Sequence, residues 1–381
     1  MAVDSAWMIR LLFLEAALGV GGAERNNQRV LLGLDRTRFE PHVATLKARG
    51  PIGDELAASG VPVTENLFPS ARGFLAARGS LADLCRKLRP NLLFTSDSPL
   101  PMLWGGWLRR KGFVPRYCAV FHTTNFTDKG FRRRLAWRAA VPVADRIIAT
   151  GRSHVEYVHR TVGVPRQKLV NILNGVDLGR FTPPEDKAPY KRKLGFAPDT
   201  LLVGIVAALR PEKNHAMFVR TAQRLRSQFP QARFLLVGEG PERPSIEALI
   251  ASLGVGNEVK LLGRRSDMPD VMSALDVITL CSKPVIETLP VCLVEADAMG
   301  LPAVSTRVGS VDDIVEEGVT GYLVEPGDED AFAERIAALL LDGEKRKQFG
   351  AAAREHALAR FDVHDMVRKY EKLFEEIVRP S

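Results

Sequence analysis

Two doubly wound α/β domains in tandem are predicted by three features of the sequence. Short apolar runs alternate with helix-length segments along almost the whole chain, which is the rhythm of β-α-β units around a parallel sheet. The rhythm breaks at Thr182-Pro-Pro-Glu-Asp-Lys-Ala-Pro189 and then restarts, as a proline-rich polar connection between two domains would make it do. The chain has 381 residues, 46% hydrophobic and 26% charged. That is enough for two full cores, and it excludes a disordered, collagen-like or disulfide-stapled protein.

The first domain is expected over residues 1–182. Its strands read Ile9–Glu15, His42–Leu46, Asn91–Thr95, Arg116–Phe121, Arg146–Thr150 and Lys168–Leu173. Met8–Leu18 is apolar, but Arg10 and Glu15 interrupt it, so it reads as a buried strand and not as a signal peptide. No run reaches the eighteen or so residues that a membrane helix needs. Residues 183–198 read as the linker, and 199–362 as the second domain. Its strands are Leu201–Ala207, Arg233–Val237, Val259–Leu262, Val277–Leu280, Ala303–Ser305 and Gly321–Val324. In residues 363–381, Met366, Val367, Tyr370, Leu373, Phe374 and Ile377 fall at helical spacing. This final helix therefore needs an apolar surface, expected on the first domain.

Charge is distributed unevenly. Through Tyr190 there are 28 Lys and Arg against 16 Asp and Glu, and after it 25 against 29, so a half of +12 precedes one of −4. One half is thus expected to face an anionic partner. The four cysteines, Cys85, Cys118, Cys281 and Cys292, lie far apart with no C-x-x-C pair. They read as small core residues in a reducing cytoplasm.

In open parallel sheets ligands bind beyond the carboxyl ends of the strands, where loops lead into helix N-termini. Gly19-Val-Gly21-Gly22-Ala-Glu24 stands at such a place. Glycines there either let the backbone approach a phosphate or only permit close helix packing. The sharpest constellation is Glu287-Thr-Leu-Pro-Val-Cys-Leu-Val-Glu295. If this span were one helix, its carboxylates would be about 12 Å apart along the axis and about 80° apart around it. They would then address different parts of a ligand, at a spacing unsuited to a glycosidase pair. The alternative is a dipole-favoured Glu near a helix start with Pro290 in the first turn, and an unrelated solvated Glu. Asp328-Glu-Asp330 spells a metal-donor D-x-D but follows Glu-Pro-Gly and opens a helix, so it reads as an N-cap and no metal is expected. No Ser/His/Asp triad has a supporting context.

Several segments together resemble the family 4 glycosyltransferases (glycosyl transferases group 1). They are Asn174-Gly-Val-Asp177 with Phe181, Arg210-Pro-Glu-Lys213-Asn-His215, Leu236-Val-Gly238-Glu-Gly240-Pro and Leu262-Gly263. The E-x7-E run Glu287 to Glu295, continuing into Gly300-Leu-Pro302, and Gly318-Val-Thr-Gly321-Tyr-Leu-Val-Glu-Pro complete the pattern. The resemblance implies the GT-B fold, two Rossmann-like domains facing across a cleft. It implies sugar transfer with retention from a nucleotide-sugar donor, with no metal and no other cofactor. By position, Glu295 binds the ribose hydroxyls and Glu287 the donor-sugar hydroxyls, a diol being well matched to a carboxylate. Lys213 neutralises the diphosphate, helped by N–H groups of Gly21 and Gly22. Arg210, Gly238 and Leu293 complete the donor set. His122, after the strand ending at Phe121, faces the reacting sugar, and with Glu287 and Lys213 forms the catalytic group. Two departures stand out: Ala208 occupies the place of the family's usual arginine, a phosphate clamp that lysine replaces imperfectly, and Ser310 follows Gly309 where a second glycine is common.

On the expected acceptor side, Trp104, Trp107, Arg109 and Arg110 in one segment, and Arg132, Arg133 and Arg134 in another, mix rings and cations. That mixture suits peripheral attachment to an anionic membrane and a glycan or lipid-linked acceptor; the plainer reading is two helices with buried Trp and solvated Arg. No nucleic-acid partner is expected, since no binding motif accompanies the basic clusters. The leading expectation is a transferase in cell-surface polysaccharide, lipopolysaccharide or glycolipid synthesis. The alternatives are a non-catalytic relative that binds a sugar nucleotide or a partner enzyme, and a nucleotide-sugar epimerase.

Overall fold

The computed structural model describes residues 8–68, 74–123, 130–284 and 287–379, with the backbone alone at 74–76 and 130–133. Two compact units divide the chain: residues 1–173 with 363–381, and residues 174–362. Among the described residues no helix is long and apolar enough to cross a membrane.

The first unit holds a parallel sheet of β1 (Ile9–Glu15), β2 (Phe39–Thr45), β3 (Val63–Thr64), β4 (Leu92–Ser96), β5 (Tyr117–Phe121), β6 (Arg146–Ala149) and β7 (Leu169–Asn171). Their spatial order is β3-β2-β1-β4-β5-β6-β7. Six of these strands lie where the apolar runs place them, whereas β3 spans two residues and is too short to show a period. Side chains alternate faces along each strand. Leu11 and Phe13 join Phe94, Val120 and Ile148 in one core cluster, while Leu12 and Leu14 join Leu93, Ala119 and Phe121 in another.

The first face is covered by the helix Gly22–Gly33, through Val30 and Leu31, and by the helix Val363–Val378. All six apolar residues picked out in that last helix are buried. Phe374 meets Phe94 edge-on at 5.4 Å between ring centres, and Tyr370 meets Phe94 at 6.0 Å; such pairs add ~0.5–1.5 kcal/mol each beyond their buried area. Arg38 binds Glu371 at 2.7 Å and Glu375 at 2.5 Å, and Asp35 N donates to Glu371 Oε1 at 2.7 Å. The second face carries the helices Pro99–Arg110 and Gly130–Ala140. These cross so closely at Gly106 that a Cβ there would lie 2.4 Å from the Ala139 carbonyl oxygen.

The second unit holds β8 (Leu201–Val206), β9 (Ala232–Val237), β10 (Val259–Gly263), β11 (Val277–Leu280), β12 (Ala303–Thr306) and β13 (Gly321–Val324), all parallel. Their order is β10-β9-β8-β11-β12-β13. Strand order reverses at β8/β11 here, and at β1/β4 in the first unit, so each sheet has a switch point where loops diverge. Residues 183–198, read from the sequence as a linker, lie within this second unit. Lys191 explains why. Its buried ammonium donates to the Thr200 carbonyl and to Asp276 Oδ2, both at 2.8 Å, and the same oxygen accepts from Leu202 N at 2.8 Å. The short helix Ala188–Lys193 is thereby fastened to the edge of β8.

Candidate active site

Beyond the carboxyl end of β8 the chain makes a single 3-10 turn, Pro211–Lys213, closed by Asn214 in the left-handed region (φ 52°), and then enters the helix His215–Leu225. The turn folds toward the loop that follows β11. Cys281 Sγ donates to the carbonyls of Lys213 (3.4 Å) and Asn214 (3.2 Å), and Lys283 N donates to Glu212 O at 2.8 Å. Lys213 Nζ donates to Glu287 Oε1, which also accepts from Ser282 Oγ at 2.6 Å. Burial alone would push the Lys213 ammonium down, but the Glu287 carboxylate and the bond to it outweigh that and hold it above the usual lysine range.

Glu287 is 7% exposed, and three contacts hold the backbone at and just after it. A Cβ on Gly309 (φ 56°) would lie 2.3 Å from Glu287 O, so glycine alone fits there. Ser310 N then donates to Thr288 O at 2.6 Å, and Asn174 Nδ2 donates to Leu289 O at 3.1 Å. Asn174 thus acts on the site by holding this loop, a role that its motif did not disclose.

The helix Val291–Ala298 starts only after Pro290, which is its N-cap. Glu287 therefore belongs to the loop and Glu295 to the helix, so the pair does not share one helical face. Glu295 is half-buried. Leu293, included in the donor set, is 1% exposed and its N–H goes to Pro290 O at 3.0 Å, so its side chain packs in the core. Gly238 (φ 150°) brings the end of β9 against β8, since a Cβ there would lie 2.0 Å from Ala207 O. Arg210 and Ala208 are both exposed on the loop after β8.

In the first unit, Gly21 is the N-cap of the helix Gly22–Gly33. Among the described residues, a Cβ added at Gly19 or at Gly22 would find nothing within 4 Å. Internal packing thus does not demand glycine at either position, and the open space stands before a helix N-terminus. Just beyond β5, His122 Nε2 donates to Asn27 Oδ1 at 3.1 Å. Burial, with His154 nearby, pushes His122 down to about 3, and burial pushes His154 down to about 4, so both rings are neutral at ordinary pH. Sequence reasoning missed Glu15 at the end of β1. It is 5% exposed, its Oε1 accepts from Ala16 N at 2.7 Å, and burial raises its carboxyl against hydrogen bonds from Ser96 and Ser98. The available signal was a run of polar residues at the carboxyl ends of adjacent predicted strands.

The aromatic residues expected at a membrane interface are core residues. Trp104 is 2% exposed, and Trp107 is half-buried between Trp104 (5.6 Å) and Phe113 (5.4 Å) with Arg78 over its face. The ring of Trp104 is taken up by core packing, and Trp107 lies against it, partly buried. Arg109 lies 3.7 Å from Asp145, and Arg110 Nη1 donates to Ala139 O. Arg134 is exposed, whereas the side chains of Arg132 and Arg133 lie outside the described residues. In the D-x-D, Asp328 Oδ1 accepts from Ala331 N at 2.9 Å and caps the helix Glu329–Leu341, while Asp330 pairs with Arg224. Among the described residues no group of three or more His, Cys, Asp and Glu side chains is placed to hold a metal.

Comparison with known proteins matches residues 20–180 to Glycosyltransferase Family 4 and residues 186–356 to Glycosyl transferases group 1. The chain is 27% identical to the N-acetyl-alpha-D-glucosaminyl L-malate synthase of Bacillus anthracis, over 64% of this chain and 62% of that protein. It is also 27% identical to the UDP-Gal:alpha-D-GlcNAc-diphosphoundecaprenol alpha-1,3-galactosyltransferase of Escherichia coli, over 69% of this chain and 70% of that protein. The crystal structure of Anabaena HepE in complex with UDP shares the fold with a TM-score of 0.85 at 24% identity, covering 97% of this chain and 100% of HepE. Two Rossmann-like sheets, the loops at their switch points and these matches lead to one assignment: the chain belongs to the GT-B glycosyltransferases that join a Glycosyltransferase Family 4 segment to a Glycosyl transferases group 1 segment.

Proposed function

We propose that this protein is a retaining, metal-independent glycosyltransferase, moving a sugar from a nucleotide sugar to a glycan or lipid-linked acceptor in cell-surface polysaccharide or glycolipid synthesis. The observation that carries the reading is the contact of Lys213 with Glu287 at the β8/β11 switch point. A cation suited to a diphosphate beside a carboxylate suited to sugar hydroxyls, with Glu295 on the adjoining helix suited to a ribose diol, supports this reading. The bond from the anomeric carbon to the phosphate oxygen breaks as the acceptor oxygen bonds to that carbon from the same face. The acceptor proton passes to the departing phosphate oxygen, leaving a nucleoside diphosphate and a glycoside. Lys213 offsets the charge that develops on the leaving group, and no protein nucleophile is used. The first unit serves the acceptor, and His122, neutral and hydrogen-bonded to Asn27, faces the reacting sugar without bringing a positive charge to it. HepE binding UDP and the diphosphoundecaprenol substrate named for the E. coli relative support the donor and acceptor classes.

Peripheral attachment at a cytoplasmic membrane face now rests on the exposed Arg134 and Arg138 beside Leu135, itself 46% exposed, and sedimentation with anionic liposomes tests it.

The deciding experiment is a thermal-shift screen against UDP, GDP, ADP and their sugar conjugates, with and without chelator. A ligand that prefers the folded state raises the midpoint by mass action. A chelator-insensitive rise, lost in Glu295→Ala, is the expected result; a rise that requires a divalent ion contradicts it. The second reading, a non-catalytic sugar-nucleotide binder, is favoured by exposed Ala208, which leaves the loop after β8 one cation short. Binding without turnover over an acceptor panel, with turnover appearing in Ala208→Arg, would establish it.

A further inference from the structure

Behind the helix that carries Glu295 runs a chain of polar contacts that donor binding does not itself use. Asp297, on that helix, is 1% exposed. Its Oδ2 accepts from His356 Nδ1 at 2.9 Å, and His356 Nε2 lies 2.9 Å from Arg360 Nη1. Arg360 Nη1 also donates to Asp313 O at 3.1 Å, and its Nη2 lies 3.8 Å from Asp313 Oδ1. A guanidinium only donates, so His356 Nε2 accepts and the ring proton sits on Nδ1, directed at Asp297.

These residues tie three segments together: the helix Val291–Ala298, the helix Gly343–Arg360 and the 3-10 turn Val311–Asp313. That turn directly follows Gly309 and Ser310, which grip the backbone of Glu287 and Thr288. The network therefore links the support of one donor carboxylate to the helix bearing the other. The helix needs such support, being eight residues long with no side-chain cap at its start; two turns have little stability of their own. Its far end is held by the same partner helix, Arg354 Nη1 donating to Ala298 O at 2.6 Å.

A buried carboxylic acid is a poor choice if packing is the only requirement. Among the described residues Asp297 Oδ1 has no hydrogen-bond partner, and burial pushes the group up to about 7 against the pull of His356 and Arg360. An apolar side chain would avoid both costs, so the acid is there for the geometry it specifies. We infer that Asp297, acting through His356 and Arg360, is a positioning residue that sets the placement of Glu295 relative to Glu287. The link to donor affinity rests on the function proposed above; the bracing of the two segments does not.

The test compares Asp297→Leu with Asp297→Asn, which keeps an acceptor for His356 Nδ1. Two readouts are taken on the full chain: amide exchange of residues 287–295 and 309–313 without ligand, and KM for the nucleotide sugar against kcat. Asp297→Leu is expected to speed exchange in both segments and raise the donor KM, each by about tenfold, with kcat within about twofold. Asp297→Asn should stay within about twofold of wild type in both. If Asp297→Leu does not fold, His356→Phe breaks the same link while retaining a ring edge-on to Phe361, which His356 meets at 5.2 Å. Unchanged exchange in the network-breaking variant overturns the bracing; equal losses in the Asn and Leu variants overturn the role of the hydrogen bond. If exchange rises as expected but the wild-type protein neither binds nor uses any nucleotide sugar, the bracing stands and the donor assignment fails.

Discussion

Lys213 and Glu287, 74 positions apart in the chain, are hydrogen-bonded to each other, and the same carboxylate oxygen is shared with Ser282. The pair is mostly out of water, with 17% of the lysine side chain and 8% of the glutamate side chain exposed. Breaking a fully buried pair costs ~3–5 kcal/mol, because the survivor keeps an uncompensated charge. Glu287→Ala should therefore lower the unfolding free energy by about 2–3 kcal/mol, the residual exposure of Lys213 accounting for the discount. Lys213→Ala should weaken nucleoside-diphosphate binding about 10- to 100-fold, the worth of a charge-assisted hydrogen bond. Denaturant titration and calorimetry check the two, and a Glu287→Ala protein as stable as wild type contradicts the pairing.

Gly22 separates ligand approach from packing. Because a Cβ there meets nothing within 4 Å among the described residues, Gly22→Ala should leave stability within ~0.5 kcal/mol or raise it slightly through helix propensity. Turnover should nevertheless fall more than about tenfold, since the methyl group stands where a ligand meets the helix N-terminus. Full activity in the variant means that the glycine has no ligand to admit.

Acid should loosen the first unit before the second. A histidine whose folded pKa is depressed adds stability that is lost as pH falls below its unfolded value, because the unfolded chain takes the proton first. His122 (about 3) and His154 (about 4) act this way in the first unit, with His42 lowered too, and Glu15, raised by burial, partly opposes them. In the second unit His215 (about 4) has the same sign, but Asp297 (about 7) has the opposite one, gaining relative stability as pH falls from about 7 toward its unfolded value. Protection of amides from exchange, taken relative to the intrinsic rate at each pH, should therefore fall earlier between pH 7 and 5 in β4–β6 than in β8–β11. The reverse order contradicts this assignment of protons.

Gly350 sets two effects against each other. In a helix interior Gly→Ala ordinarily stabilises by ~1 kcal/mol. Here a Cβ would lie 2.3 Å from the Gly300 carbonyl oxygen, an overlap with backbone that side-chain rotation cannot relieve. Steric cost should win, and Gly350→Ala should lose about 1–3 kcal/mol. A thermal midpoint at or above wild type would show that the helices separate at little cost.

Most of the fold was readable from the sequence because, among the described residues, twelve of the thirteen strands fall within or overlap the short runs read as strands. Residues 183–198 read as a linker because prolines report a loop without reporting whether the loop is anchored, and the anchor, Lys191 to Asp276, is 85 positions away. The tryptophans left two readings open for a related reason. Ring and cation content is the same whether Trp104 faces lipid or the sheet, and only the alternation of β4 and β5 settles which side is covered. Glu287 and Glu295 were visible as a motif, but their support was not. Asn174, Gly309 and Asp297 reach the site through backbone carbonyls and a histidine 59 positions away, and long-range contacts of that kind leave no local spacing to read.

The helix Val363–Val378 completes the core of the first unit although the whole second unit precedes it in the chain. During synthesis, at roughly 5–20 residues per second, β1 to β7 must wait with Phe39, Phe94 and neighbouring apolar surface unsealed while nearly two hundred further residues emerge, which takes about 10–40 s at that rate. The second unit has all its strands before the first can close. Nascent chains are thus most vulnerable to chaperone capture and proteolysis in their oldest part, and shortening the ribosome's transit through codons 174–362 should raise the yield of folded protein more than any change upstream.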